Sequence, residues 1–368
     1  MRLTRAKKIM LAILLSVVIL IAVNARWVYY VFHLARHQLA VVAGKKPIAG
    51  LLAENTVDAK TREQLLMVED IRRFTETSYA LSRSASYASF YDLGRPVLGY
   101  NITVTPEFSL KPVAFSFFPI GSFEYLGFFD RKLAEEWAID YRRRGNDVHL
   151  SEIGGYSTLG WFEDPLYSTQ LAWGEYGLAR LIGHEIAHER LYFNNDTAFS
   201  EALASFVERR LAADYMHAKR RPMPNEAAIA LRRRRLNEFS ELIDDTKKKL
   251  QTLYASTRFN ELDISEKRRS KAAIFQRLRE TLNEKKTYFA DIPAAAELTK
   301  SPEINNATLV QFHRYSPVHE AFAGVLKRCA PTGNVYTCWF SELEKLKPCS
   351  NEARQRWLKS DGTKVDCR

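Results

Sequence analysis

The stretch Gly183-His184-Glu185-Ile186-Ala187-His188 sets two histidines four residues apart, with a glutamate directly after the first. On a helix that spacing sends both imidazoles from one face about a turn apart, where they can share one zinc ion. Glu185 stands about 100° around the helix from His184, near the metal without being forced to ligate it, so its carboxylate can take a proton from zinc-bound water. A catalytic zinc needs a third protein ligand and an open position. Glu201 follows His188 by 13 residues, and a short reversal between two helices would swing it back over the metal. Its neighbours in Ser200-Glu201-Ala202-Leu203-Ala204 are mostly small, which lets two helices approach closely. Glu208, seven residues on and on the same face, is the second candidate ligand, or a partner that orients a ligand histidine. Asp196 and Asp214 rank behind them, and Asp196 suits a helix cap. The chemistry implied is hydrolysis of a peptide bond: zinc polarises the carbonyl, Glu185 carries the proton to the leaving amine, and a donor stabilises the oxyanion. Tyr156, Tyr315 and His313 are candidates for that donor. The bland reading of the same pattern is two histidines packed in a helical core.

Two helices must hold these groups, one predicted over 176–191 and one over 197–216, with the turn-forming Asn194, Asn195 and Asp196 between them. Phe199, Leu203, Phe206, Val207 and Leu211 recur at helical spacing, so one face of the second helix packs inward. Ahead of the pair, β-branched and aromatic runs broken by glycine and proline predict strands over 100–104, 113–120 and 123–129. A helix over 131–144, ended by Gly145, and strands over 148–153 and 156–162 follow. The glycine-flanked 154–162 stretch reads either as an edge on which an extended peptide could lie or as a core strand. Residues 38–84 read as a pair of helices, and the charged 225–288 segment as a long antiparallel hairpin with a solvated face. The expected architecture is α+β and mainly helical: a small twisted sheet packed on the two metal helices, with the hairpin projecting and the cleft between sheet and helices.

The 368 residues are 46% hydrophobic, enough to bury a sizeable core. The net charge of +11 is spread along amphipathic stretches without a basic run interleaved with aromatics, which argues against nucleic-acid binding. Arg2, Arg5, Lys7 and Lys8 precede an apolar run from Ile9 to Val23, and a second run, Trp27 to Phe32, follows Arg26. Together they read as a signal anchor over 1–32 that forms a transmembrane helix with its basic end inside, although Val23 and Ala25 would also suit cleavage after Ala25. All four cysteines, Cys329, Cys338, Cys349 and Cys367, lie near the C-terminus and lack any C-x-x-C pair. In an exported chain they read as two disulfides, with nearest-neighbour pairing preferred among three possibilities.

Several separated blocks resemble the bacterial putative aminopeptidases of the gluzincin clan. They are RPVLGYNITVTPEFSLKPVAF (95–115), GGYSTLGWFEDPL (154–166), HEIAHERLYFNNDTAFSEALASFVE (184–208) and INNATLV (304–310), within a resemblance spanning roughly 30–326. The resemblance implies a zincin-like metallopeptidase fold, a glutamate third ligand, and ligand and base roles carried onto His184, His188, Glu201 and Glu185. Two departures matter. Members often resemble lipoproteins, yet no cysteine here precedes Cys329, so a transmembrane anchor takes the place of a lipid. The cysteine-bearing tail over 327–368 looks additional to the family pattern. Apart from these, no G-A-M-E-N-like stretch of the sort that binds a free amine in better-known aminopeptidases is present; Glu107, Glu163 and Asp164 are candidates for an amine anchor, or else surface or strand-end acids. The expectation is a membrane-anchored zinc aminopeptidase, with its 33–326 catalytic domain, hairpin insertion included, in the periplasm and held to the bacterial inner membrane by a single pass. A zinc endopeptidase of envelope proteins and a scaffold with a structural metal are the alternatives.

Overall fold

Past Ala25 the chain continues as a single 20-residue helix, α1 (Ala25–Gly44), in the computed structural model. The structure describes residue 5 and residues 22–54, 56–79, 81, 86–117, 121–153, 163–193, 196–223, 225–301, 303–312 and 320–362. No helix among the described residues is long and apolar enough to cross a membrane. The predicted span falls mostly outside them, since only residue 5 and residues 22–32 of the 1–32 segment are described.

After β1 (Lys46–Pro47) come α2 (Ile48–Glu54) and α3 (Ala59–Ser78), the pair expected within 38–84, except that α1 itself runs on to Gly44. Asp58 starts α3 by accepting the Lys60 and Thr61 backbone N–H groups, and Leu65, Val68, Ile71 and Thr75 form its buried stripe. The strands are β2 (Ser89–Tyr91), β3 (Gly99–Pro106), β4 (Phe115–Phe117), β5 (Gly121–Phe123) and β6 (Leu126–Phe128). Helix α4 (Arg131–Arg143), β7 (Asn146–Ile153) and β8 (Leu166–Tyr167) follow. Asp130 caps α4 through the Leu133 N–H, and Gly145 ends it with a φ of 79° that favours glycine.

The main sheet has the order β6-β3-β7, with β3 antiparallel to both neighbours. Its register with β7 runs from Gly99 opposite Ile153 to Pro106 opposite Asn146. β4 and β5 form a separate hairpin. The main sheet does not build its core on the metal helices, as the sequence led one to expect. Ile102, Val104, Leu126, Phe128 and Val148 pack instead with Ala134, Trp137 and Ala138 of α4 and with Tyr30 of α1. The neighbouring α4 and the distant α1 thus together satisfy its apolar face. The strands that reach the core around the metal helices belong to the sheet β1-β2-β8, through Phe90 and Leu166.

β8 leads through a 3-10 turn (Ser168–Trp173) into α5 (Gly174–Arg190), and α6 (Thr197–Ala218) lies against it. The charged segment forms α7 (Glu226–Ala255), a short α8 (Thr257–Glu261) and α9 (Ile264–Glu284), followed by α10 (Pro293–Lys300) and α11 (Asn306–Gln311). This hairpin carries its own core of Phe239, Ile243, Leu250, Phe275, Leu278 and Leu282, shared with Leu298 of α10. It is docked as well. Lys271 Nζ donates to Asp147 Oδ2 at 2.6 Å and to the Glu107 carbonyl at 2.8 Å, and Arg268 Nε reaches Glu107 Oε1 at 2.6 Å. Asn306 fastens the same corner, its N–H donating to Asp147 at 2.9 Å and its side chain to the Glu107 carbonyl at 2.9 Å. The hairpin is therefore a packed layer against one end of β3 and β7.

Helices α12 (Glu320–Cys329), α13 (Val335–Glu344) and α14 (Asn351–Leu358) are the last among the described residues. Phe322, Trp339, Phe340 and Trp357 join Phe199, Leu203 and Val207 of α6 in one core, so the tail packs directly on the metal helices. Burial of each such side chain contributes about 1.5–3 kcal/mol. A disulfide joins Cys329 to Cys338, the nearest-neighbour pairing, with Cα atoms 5.6 Å apart. Cys349 is disulfide-bonded too, and Cys367 lies outside the described residues.

Candidate metal centre

Helix α5 presents His184 and His188 on successive turns, and α6 crosses it closely enough to bring in Glu201. Gly183 permits that crossing: a Cβ there would stand 3.3 Å from Glu208 Cα and 3.4 Å from Leu211 Cβ. The start of α6 is fixed by Asp196, which accepts the Phe199 N–H at 3.1 Å. Ser200 adds a bond to the Phe193 backbone, receiving its N–H at 3.1 Å. The first turn, and Glu201 with it, is thereby set against the end of α5.

His184 Nε2 and His188 Nε2 face one another at 3.2 Å. Glu201 Oε2 lies 3.3 Å from His184 Nε2, and Glu201 Oε1 lies 3.5 Å from His188 Nε2. These three side chains form a group that could hold a metal ion. Bonds of about 2.0–2.2 Å at tetrahedral angles separate donor atoms by roughly 3.3–3.5 Å, close to the spacing of each neighbouring pair here, although the two histidines meet different Glu201 oxygens. Two imidazole nitrogens and a carboxylate oxygen are also the donor types a catalytic zinc takes.

Electrostatics agree with the geometry. Burial opposes charge on His184, but its bonds to Glu201 and Glu208 more than offset this and push its pKa up to about 10. Burial likewise opposes charge on Glu201, yet the two histidines hold its carboxyl well below the usual range. A pocket that retains a proton so firmly favours positive charge, which a divalent cation supplies. Behind His184, Glu208 Oε2 lies 3.0 Å from Nδ1, and Arg180 grips the other Glu208 oxygen. Glu208 thus occupies the orienting position rather than the ligand position. His188 Nδ1 is buried without a hydrogen-bond partner among the described residues. Burial pushes the Glu185 carboxyl up, against the pull of His184 and His188.

The remaining candidates separate by place. Tyr156, Tyr315, His313 and the 154–162 strand lie outside the described residues. Asp214 belongs to a different cluster, accepting from Tyr79 Oη at 2.7 Å, Tyr336 Oη at 3.0 Å and Arg210 Nε at 2.9 Å. Glu107 is held by Arg268, and Glu163 stands 3.5 Å from Lys45 Nζ at the surface. Asp164 is the one of these acids whose charge bears on Glu185.

Two residues escaped the sequence. Tyr87 is buried with a backbone φ of 58°, its N–H donating to the Asp164 carbonyl at 2.8 Å and its ring in the field of Glu185. A non-glycine residue held in that region marks a constrained turn, and nothing in the local sequence announces it. Arg354, from α14, donates to Asp196 Oδ2 at 2.7 Å in a fully buried ion pair. A lone arginine in a tail carries no local sign of such a partner.

A family model described as "Putative aminopeptidase" matches residues 29–358. Neither the curated proteins nor the solved structures contain a match to the chain. The match extends well into the tail that the sequence set apart as additional, in keeping with the place of α13 and α14 in the core around the metal helices. With the histidine–histidine–glutamate group inside a match that spans most of its length, the chain belongs to the Putative aminopeptidase family.

Proposed function

We propose that the protein is a zinc aminopeptidase held to the bacterial inner membrane by its N-terminal segment, with the catalytic domain in the periplasm. One observation carries the reading: His184, His188 and Glu201 converge, with nitrogen and oxygen atoms 3.2–3.5 Å apart, next to the half-buried Glu185. Bound to those three side chains, zinc supplies Lewis acidity to a substrate carbonyl and to a coordinated water. Glu185 acts as the base, taking a proton from the attacking water and delivering it to the leaving amine. Its raised affinity for a proton suits both halves of that transfer. Glu208 fixes the His184 ring so that Nε2 faces the metal. The family supports peptide substrates, and of the three candidate amine anchors Asp164 is the one whose charge is felt at Glu185. Export is supported by the basic start, the Ile9–Val23 run and the disulfide-bearing tail.

The test joins metal analysis to peptide digestion. Wild type is expected to hold one zinc per chain by mass spectrometry, and Glu201→Ala to hold it far more weakly. Glu185→Gln should keep the zinc and lose about 10²–10⁴-fold in cleavage rate. Product masses showing release of single N-terminal residues would support the exopeptidase assignment, whereas internal cuts would make the enzyme an endopeptidase. A metal-free wild type, or cleavage indifferent to Glu185, would overturn the reading.

A further inference from the structure

Helix α1 is apolar on both faces. Trp27, Tyr30 and Leu34 face inward and pack with the main sheet and α4. Arg26 pairs with Asp140, and His33 Nε2 accepts the Phe129 N–H at 3.2 Å, so the helix is fixed to the domain. The opposite face carries Val28, Phe32, Ala35, Leu39 and Val42 at i, i+4, i+7, i+11 and i+14, a single stripe along the helix. Four of these are 46%, 62%, 67% and 40% exposed in the order Val28, Phe32, Leu39 and Val42. Tyr29 and Arg36 flank the stripe and are also exposed. Single exposed apolar residues need no account, but a contiguous stripe marks a surface that something covers.

Two features of the chain identify the cover. The stripe follows directly on the Ile9–Val23 run, so a bilayer that takes up that run lies within a few residues of it. Between Val23 and Glu54, the first acid in the chain, the sequence holds Arg26, Arg36, Lys45 and Lys46 and no Asp or Glu; Arg26 pairs with Asp140 and Lys45 with Glu163, so Arg36 and Lys46 are the cations turned to the surface. Such one-signed charge complements anionic headgroups, whereas a second copy would set one cationic α1 against another.

We propose that the outer stripe of α1 lies in the headgroup–acyl boundary of a bilayer containing anionic lipid and seats the metal-bearing domain on the membrane surface. An amphipathic helix so placed buries its apolar face about 5–10 Å into the boundary. Tyr29 then stands at headgroup level, and Arg36 extends to the phosphates. Because the inner face of α1 is fixed to the sheet, the domain is held in one orientation, not merely tethered. The inference rests on the reading of residues 1–32 as a membrane anchor, narrowed to the Ile9–Val23 run because Trp27 and Tyr30 pack on the sheet and α4, and is independent of the peptidase reading.

The experiment places a photoreactive benzoylphenylalanine at one position of the full-length chain, in vesicles of phosphatidylethanolamine and phosphatidylglycerol. Four positions are compared: Ile19 in the run, Phe32 and Leu39 on the stripe, and Ile264, an exposed residue of α9. Lipid adducts at Ile19, Phe32 and Leu39, about tenfold above Ile264, are expected for a helix in the boundary. Replacing phosphatidylglycerol with phosphatidylcholine should lower the stripe adducts several-fold. An adduct at Ile19 alone would overturn the seat and leave a tether. Cross-linking of Leu39 to a second chain would overturn it in favour of a dimer, and no adduct at any of the four positions would overturn seat and anchor together.

Discussion

His184 has two ring nitrogens with different work. The Nδ1 edge meets Glu208 at 3.0 Å, so a proton kept there would leave Nε2, which faces Glu201 and His188, as the nitrogen on which a metal would replace the second proton. Removing the carboxylate frees the ring to turn. Glu208→Ala is expected to weaken zinc binding by about 10–100-fold, read by competition with a chromogenic chelator. Unchanged affinity would show that Glu208 does not orient the ring. Of the side chains at the centre, His184, Glu185, His188 and Glu201 were legible because their spacing on two consecutive helices forces them near one another. Tyr87 was not, since it comes into the field of Glu185 from a segment whose path no local periodicity encodes, and Asp164 was legible only as one of three candidate acids.

The helices α5 and α6 were legible as elements, and so was the Asp196 cap, because turn-forming residues and an inward apolar stripe bracket α6. What holds the cap was not. Arg354 spends its guanidinium on Asp196 Oδ2 at 2.7 Å, the Cys349 carbonyl at 2.6 Å and Asn351 Oδ1 at 2.6 Å, with its charge 5.4 Å from the Phe193 ring. Arg354→Ala would leave the Asp196 charge buried without its partner, at a cost of about 3–5 kcal/mol. The expected readout is a lower unfolding midpoint together with weaker zinc binding, because the turn bearing Glu201 loses its fixed start. Arg354→Lys should restore little, since an ammonium cannot reproduce the planar fork. A variant with wild-type stability would show that the pair contributes nothing. The hairpin α7–α9 shows why charge density alone misled: its cations are largely at the surface, but Lys271 turns inward to Asp147, and beneath it Phe275 and Leu278 close a core.

Across the whole molecule the core divides into several clusters, and the junction between sheet and hairpin contains a pH-sensitive element. His149 of β7 is buried there, 3.5 Å from Glu297 Oε1 without completing a hydrogen bond, and burial pushes its pKa down to about 4. Its folded value lies below the 6.5 of an unfolded histidine, so protons favour the unfolded chain. The stability this neutral ring lends is complete above pH 6.5 and is lost as pH falls through 4, at most about 3 kcal/mol. Denaturant unfolding from pH 7 to 4 should show that loss in wild type and a flatter profile in His149→Phe; identical profiles would remove His149 as the cause. The fold class was legible from composition and texture, but not the partner of each apolar face, because the chain offers each sheet more than one helix to pack on. The disulfide-bearing tail carries a consequence in time. Synthesis proceeds from the N-terminus, so both histidines and all three glutamates of the centre leave the ribosome well before Arg354, Trp339 and Trp357 exist. Until those last helices fold, α6 lacks both its clamp and part of its core, so the side chains that converge from α5 and α6 are brought together only after the chain's end has been made.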